Sequence, residues 1–176
     1  MIETPKLLLR KITLQDWPLF LKLHKDERVM RWVSDTLDEP SIHEKFMQRY
    51  EDTSTWHKES PCWLTLVVVD KHTGNEVGLH GFYSQWSPYQ QAEIGFLLLP
   101  EYQGKGYAKA ATQAVIDFIL KDCSFHKVIA TVSEGNIASF SLLKSLGFTH
   151  EGTLKDNFKI ADQWINDQKL ALIANN

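Results

Sequence analysis

The chain has 176 residues, with 19 Lys and Arg set against 22 Asp and Glu, a formal net charge of −3, two cysteines and seven histidines. That length suits one domain with a sizeable core, and the near balance of charge excludes an electrostatic case for nucleic acid or an anionic membrane surface. With no charged-then-apolar leader, no apolar run of membrane-spanning length and no CxxC or HExxH spacing, the expectation is a cytoplasmic protein with reduced Cys62 and Cys123, no metal site, no membrane and no direct nucleic-acid partner.

In chain order, residues 7–12 read as a first strand, and Thr13 as the N-cap of a helix through Trp17, Phe20, Leu21 and Leu23. Ser41 with Glu44 three residues on has the capping-box pattern and opens a helix through Phe46, Met47 and Tyr50. Residues 63–69 are β-rich, and His72-Thr73-Gly74-Asn75 reads as a hairpin turn into a strand over 76–83. After a turn at Ser87-Pro88, Glu93 leads into an apolar strand over 94–99 that Pro100 closes. Gln103-Gly104-Lys105-Gly106-Tyr107-Ala108 follows, and residues 108–119 carry helix formers with apolar residues at helical spacing. Residues 127–132 read as a strand, and Asn136 and Gly147 as the N-cap and C′ residues of the next helix. Antiparallel strands first and strand–helix–strand units later predict an α+β fold: one domain over 1–176, a mixed, mostly antiparallel sheet, and flanking helices.

The segment from Glu93 to Ala114 carries the chemistry. Strand, glycine turn and helix start fall together, and the first N–H groups of a helix have no intrahelical acceptor. With the helix dipole, they favour an anion, and Gly104 and Gly106 let a bulky one approach the backbone. The spacing fails the dinucleotide fingerprint at Lys109, and no P-loop run exists in the chain. Gln103, Gly106 and Ala108 do fill the pattern Gln/Arg-x-x-Gly-x-Gly/Ala, which after Glu93-Ile94-Gly95-Phe96 resembles the acetyl-CoA site of the GNAT acyltransferase superfamily. Asn136-x-x-Ser139, Leu142-Leu143-Lys144-x-Leu146-Gly147-Phe148 and Glu151-Gly152-Thr153-Leu154 resemble the C-terminal half of those enzymes. The likeness is strongest to the RimJ/RimL-type ribosomal-protein N-terminal acetyltransferases, whose opening Thr4-Pro5-Lys6-Leu7-Leu8-Leu9-Arg10 and Asp16 also resemble. Residues 35–63 match poorly.

The resemblance implies acetyl-CoA as cosubstrate and direct transfer to an amine. It implies pyrophosphate capture by the backbone of Gln103, Gly104, Gly106, Tyr107 and Ala108. Lys105 and Lys109 are either electrostatic helpers or solvated lysines. Further, Leu97, Leu98 and Leu99 end a strand that splays to expose backbone to pantetheine, and Asn136 reaches the pantetheine arm or simply caps its helix. Glu93 is the first candidate for general base, or else a salt-bridged strand glutamate. Ser139 and Ser141 are the candidate proton donors, since that helix has no tyrosine, or else are surface serines. Some relatives place a carboxylate where this chain has Phe158, which leaves Asp156 and Asp167 in reserve. The implied acceptor is the α-amine of a protein, with a small amine or a non-catalytic CoA sensor as alternatives, and with room for a homodimer. Trp17, Trp32, Trp56, Trp86 and His80-Gly81-Phe82-Tyr83 line the acceptor cleft or pack the core. Asp35, Asp38, Glu39 and Glu44 either attract a cationic acceptor or form a solvated, capping face.

Overall fold

Along residues 63–70, Leu64, Leu66 and Val68 enter one core, while Val67 points the other way into a second. That period-two alternation makes a sheet with two buried faces. The computed structural model of the chain, which describes residues 1–174, places eight strands in this sheet. They are β1 (Ile2–Glu3), β2 (Leu7–Lys11), β3 (Trp63–Asp70), β4 (Glu76–Gln85), β5 (Gln91–Leu98), β6 (Lys127–Ser133), β7 (Thr149–Ile160) and β8 (Gln163–Ile173). Their spatial order is β1-β2-β3-β4-β5-β6-β8-β7, and β5 with β6 is the one parallel pair. The fold is therefore α+β with a mixed, mostly antiparallel sheet, as the sequence predicts.

Helices α1 (Trp17–Lys25) and α3 (Glu39–Thr55) cover one face, joined by the short α2 (Glu27–Met30). Phe20, Leu23, Ile42 and Phe46 pack there against Val67, Leu79 and Leu99. Helices α4 (Tyr107–Asp117) and α5 (Ile137–Ser145) cover the other, where Val115, Ile119 and Leu143 join Leu66, Phe82, Ile94 and Val128.

Two helix starts differ from the sequence reading. A 3-10 turn (Leu14–Asp16) separates Thr13 from α1. The buried Asp16 carboxylate accepts from the Thr13 N–H at 2.6 Å and from Arg10 Nη1 and Nη2 at 2.9 and 2.7 Å. Helix α3 starts at Glu39 rather than at Ser41, because Asp38 accepts the Ser41 N–H at 2.9 Å and Pro40 fits the first turn. The C′ assignment holds: Gly147 sits at φ +90°, and the Phe148 N–H reaches the Leu143 carbonyl at 3.1 Å.

One irregularity positions everything that follows. Strands β5 and β6 pair over only three rungs, Gln91–Lys127, Ala92–Val128 and Glu93–Ile129, and then part. Strand β5 stays with β4 to Leu98, and β6 stays with β8 to Ser133. A glycine keeps β5 tight on β4, since a Cβ on Gly78 would lie 2.1 Å from the Leu97 carbonyl oxygen. The result is a fork whose β5 edge, beyond Glu93, has no strand beside it. Among the described residues, no helix is long and apolar enough to cross a membrane.

Candidate active site

The fork opens into a cleft of ≈ 400 Å³ that runs through the sheet from the α5 side to the α3 side. Gly95, Phe96 and Leu97 line one prong, and Ala130, Thr131, Val132 and Ser133 the other. Of the three leucines ending the strand, Leu97 alone reaches the cleft. Leu98 is buried in the core beneath α4, with its carbonyl accepting from Gln103 Nε2 at 3.0 Å, and Leu99 is buried in the opposite core.

At the end of β5, the chain turns through Gln103 to Gly106 into α4. Gly104 and Gly106 take left-handed conformations, φ +70° and +84°, and a Cβ on either would meet nothing within 4 Å. The first N–H groups of α4, on Tyr107, Ala108 and Lys109, have no acceptor inside the helix. Open space above two glycines, facing unpaired amides at the positive end of an eleven-residue helix, fits a pyrophosphate. Tyr107 fixes this start by donating its hydroxyl to Asp70 at the β3–β4 turn. That bond is the main reason its phenol is pushed up and the Asp70 carboxyl held below the usual range. Lys105 and Lys109 are exposed.

On α5, Asn136 Oδ1 accepts the Ser139 N–H at 3.2 Å, and Asn136, Ser139 and Leu143 line the cleft. Ser141 is exposed and does not. Two residues apart on a helix means about 200° around the axis, so one serine facing the cleft turns the other away.

Two carboxylates, Glu93 and Asp167, stand at the fork. Glu93 sits at the last paired rung of the fork, half-buried, and does not line the cleft. Its carboxylate accepts from the Thr131 hydroxyl and lies 3.4 Å from Lys169 Nζ, which tie β5, β6 and β8 together just below the opening. The surroundings are an ion pair and a hydroxyl, as in the salt-bridged alternative of the sequence reading. Asp167 on β8 is the one carboxylate lining the cleft among the described residues. It is buried, accepts from Ser133 Oγ at 3.3 Å and from Asn157 Nδ2 at 2.9 Å, and shares the α3 face with Thr131 and Ser133. Phe158 also lines the cleft and brings a phenyl ring to it. Asp156 is exposed.

The α3 side of the cleft is aromatic and cationic. Trp63 lies across β4 with its ring edge 3.5 Å from the Cβ position of Gly95, and the Arg49 guanidinium stacks on the same ring, 3.9 Å from its centroid. Lys45, one turn earlier on α3, also lines the cleft with Phe20 and His24 of α1, while Trp32 sits at the end of the β6 prong, its carbonyl accepting from Ser133 Oγ at 2.9 Å. His24 stacks on Phe20 at 4.0 Å and is pushed down to about 4, mainly by burial. His80, bonded to Thr112 Oγ1 at 3.0 Å, is pushed down to about 3 by burial. Both are neutral at physiological pH, so the positive charge here comes from Lys45 and Arg49.

Residues 6–149 match the acetyltransferase (GNAT) domain family. The chain belongs to the GNAT family. An uncharacterised N-acetyltransferase of Bacillus subtilis (strain 168), YnaD, is 25% identical over 177 residues, covering 98% of this chain and 96% of that protein. The spermidine N(1)-acetyltransferase of Escherichia coli (strain K12) is 28% identical over 164 residues, covering 93% and 84%. The crystal structure of the ribosomal-protein-S5-alanine acetyltransferase of Vibrio fischeri superposes with a TM-score of 0.82 at 26% identity, covering 97% and 94%. This GNAT protein is thus an acetyl-CoA-dependent N-acetyltransferase, with the α+β architecture of those relatives.

The GNAT cleft includes residues that sequence reasoning missed. Trp63, Lys45 and Arg49 were legible only as strand and helix residues, although Lys45 and Arg49 stand four apart and so share a helix face. Of the tryptophans singled out, Trp32 lines the cleft, while Trp17, Trp56 and Trp86 pack on Phe46, Phe82 and Phe125. None of the four acidic candidates lines it. Asp35 accepts the Ala161 N–H at 2.7 Å, Asp38 caps α3, Glu39 pairs with Lys25 at 2.8 Å, and Glu44 is exposed.

Proposed function

We propose that this GNAT enzyme acetylates the primary amine of a small molecule, acting as a single catalytic domain by direct attack within a ternary complex. The observation that carries the reading is the cleft itself: ≈ 400 Å³, passing through the sheet at the fork, with aromatic walls on its acceptor side. That is the size and lining of a small-ligand site. A spermidine-acetylating relative supports a small amine. A ribosomal-protein-acetylating structural neighbour keeps a protein α-amine, the acceptor of the RimJ/RimL type, as the second reading.

Bound acetyl-CoA supplies an acetyl group activated as a thioester. The backbone of Gln103, Gly104, Gly106, Tyr107 and Ala108 is suited to hold its pyrophosphate, and the Asn136 side-chain amide its pantetheine arm. The unpaired β5 edge at Gly95–Leu97 offers N–H groups to oxygen charge developing during transfer. Asp167 is suited to take the proton the amine must lose. Ser139, on the α5 side, is suited to return one to the departing thiolate, directly or through water. Glu93 fits a positioning role, holding the fork at its base. Ser139→Ala is expected to lower kcat roughly tenfold, with Ser141→Ala unchanged, as its outward direction requires. Equal losses in both would remove Ser139 from the chemistry.

Thiol release from acetyl-CoA, measured against small amines and N-terminal peptides, tests the function. Turnover of small amines is expected. Turnover confined to peptides, with the acetyl group on the α-amine, would reassign the acceptor. Tight CoA binding without turnover on either would favour a sensor.

A further inference from the structure

Lys45 and Arg49 have no ion-pair partner and no hydrogen-bonded carboxylate among the described residues. Both are half-buried and line the same wall of the cleft. Asp52, one turn beyond Arg49 on α3, favours its charge from nearby but makes no ion-pair contact with it, and accepts instead from Gln48 at 2.7 Å and from the Trp63 N–H at 3.3 Å. Two like charges withdrawn from water side by side oppose folding, and stacking on an indole does not neutralise them. Burial and the neighbouring guanidinium hold Lys45 below its ordinary value. Burial takes Arg49 down to about 10, where it is still charged at neutral pH.

Neither cation belongs to the pyrophosphate loop. Helix α3 packs on the α1 face of the sheet, whereas α4, whose start follows the glycines, packs on the other. The face they share with Asp167 is the acceptor face. Trp63 bridges from β3 to Gly95 on the prong of the fork, and Arg49 lies on that same ring. The guanidinium therefore lies on a ring that reaches the β5 prong of the fork. On the far side of the fork stands the carboxylate of Asp167. The cleft is therefore bipolar, with Asp167 as the carboxylate and Lys45 and Arg49 as the cations lining it among the described residues.

We propose that the acceptor is a small amine that also carries a carboxylate or phosphate, which Lys45 and Arg49 bind in the acceptor half of the cleft. This rests on the small-amine reading above. It also turns the specificity away from polyamines, because a second ammonium group would be driven against two fixed cations. Planar donors on Arg49 suit either anion, and Lys45 adds a point charge.

The test uses matched acceptors: an amino acid and its amide, an aminoalkyl phosphate and its alcohol, and spermidine. The expected result is that each acid is acetylated with a kcat/KM roughly tenfold or more above its neutral partner, with spermidine poorest. In Arg49→Met the ratio falls toward one while the acetyl-CoA Kd is unchanged, and Arg49→Lys, which keeps the charge, keeps a preference. Equal or better turnover of the neutral amines or of spermidine overturns the proposal, and so does an undiminished ratio in Arg49→Met. Succinate and succinamide titrated against tryptophan fluorescence read the anion site without catalysis. Saturable quenching by succinate alone, lost in Arg49→Met, supports the site even if no small amine is acetylated, in which case the small-amine reading fails by itself. No succinate binding to the wild-type protein overturns the anion site.

Discussion

Asp167→Asn is expected to lower kcat on the order of 100-fold or more while leaving the acetyl-CoA Kd within about threefold. The substitution is close to isosteric. The Asn157 amide can turn its oxygen toward the new side chain, and Ser133 can still donate, so the buried contacts at 3.3 and 2.9 Å survive in form. What is lost is a group that can accept a proton. An aliphatic ammonium has a pKa of about 10 and is mostly protonated at neutral pH, so the reactive fraction depends on a base or on bulk hydroxide. The variant should therefore regain activity as pH rises toward the acceptor's own pKa, whereas a folding defect would not recover with pH. Glu93→Gln is the control. Glu93 is held by Thr131 and Lys169 at the base of the fork and does not line the cleft, so its loss should loosen the fork more than it slows transfer. A large kcat loss in Glu93→Gln with Asp167→Asn unaffected would return the base to Glu93.

Gly106→Val is expected to weaken acetyl-CoA binding on the order of 100-fold or more, through two effects with one origin. Gly106 caps α4 at φ +84°, where a β-branched residue costs on the order of 1–3 kcal/mol of backbone strain. Its missing Cβ also points into open space beside the first amides of the helix, the space a phosphate must enter. Gly104→Ala, at φ +70°, adds one methyl and should weaken binding less. Calorimetric titration with CoA, alongside a thermal melt to confirm folding, reads both variants. A Gly106→Val protein that binds within about threefold of wild type would show that the loop does not hold the pyrophosphate.

The loop and its partners were legible because their chemistry is local. A strand, two glycines and a helix start are consecutive in sequence, and unpaired N–H groups at a helix start need no distant residue to be useful. Asn136 and Ser139 were legible for the same reason, since a cap and its third residue sit on one helix turn. The choice between Ser139 and Ser141 was not, because it depends on which side of α5 meets the sheet. The hairpin β7–β8 was legible as a family motif at residues 151–154 and a reserve carboxylate at Asp167, but not as a pair of strands. Strand β7 is exposed along nearly its whole length and lies at the sheet's edge, so no apolar alternation marks it. Yet Asp167 and Phe158 come from that hairpin.

The sequence by itself thus determined what is local in this GNAT enzyme: the glycine turn, the strand leading into it, the capped helix that follows and the α+β class. Tertiary structure decided which side chains share the cleft. Lys45, Arg49, Trp63 and Asp167 lie on α3, β3 and β8, and meet across one cleft only because β5 and β6 part after Glu93. The physical reason is range. Backbone amides bind an anion through geometry set within a few residues, whereas charge complementarity to an acceptor is a property of side chains that only the folded sheet brings to the same face.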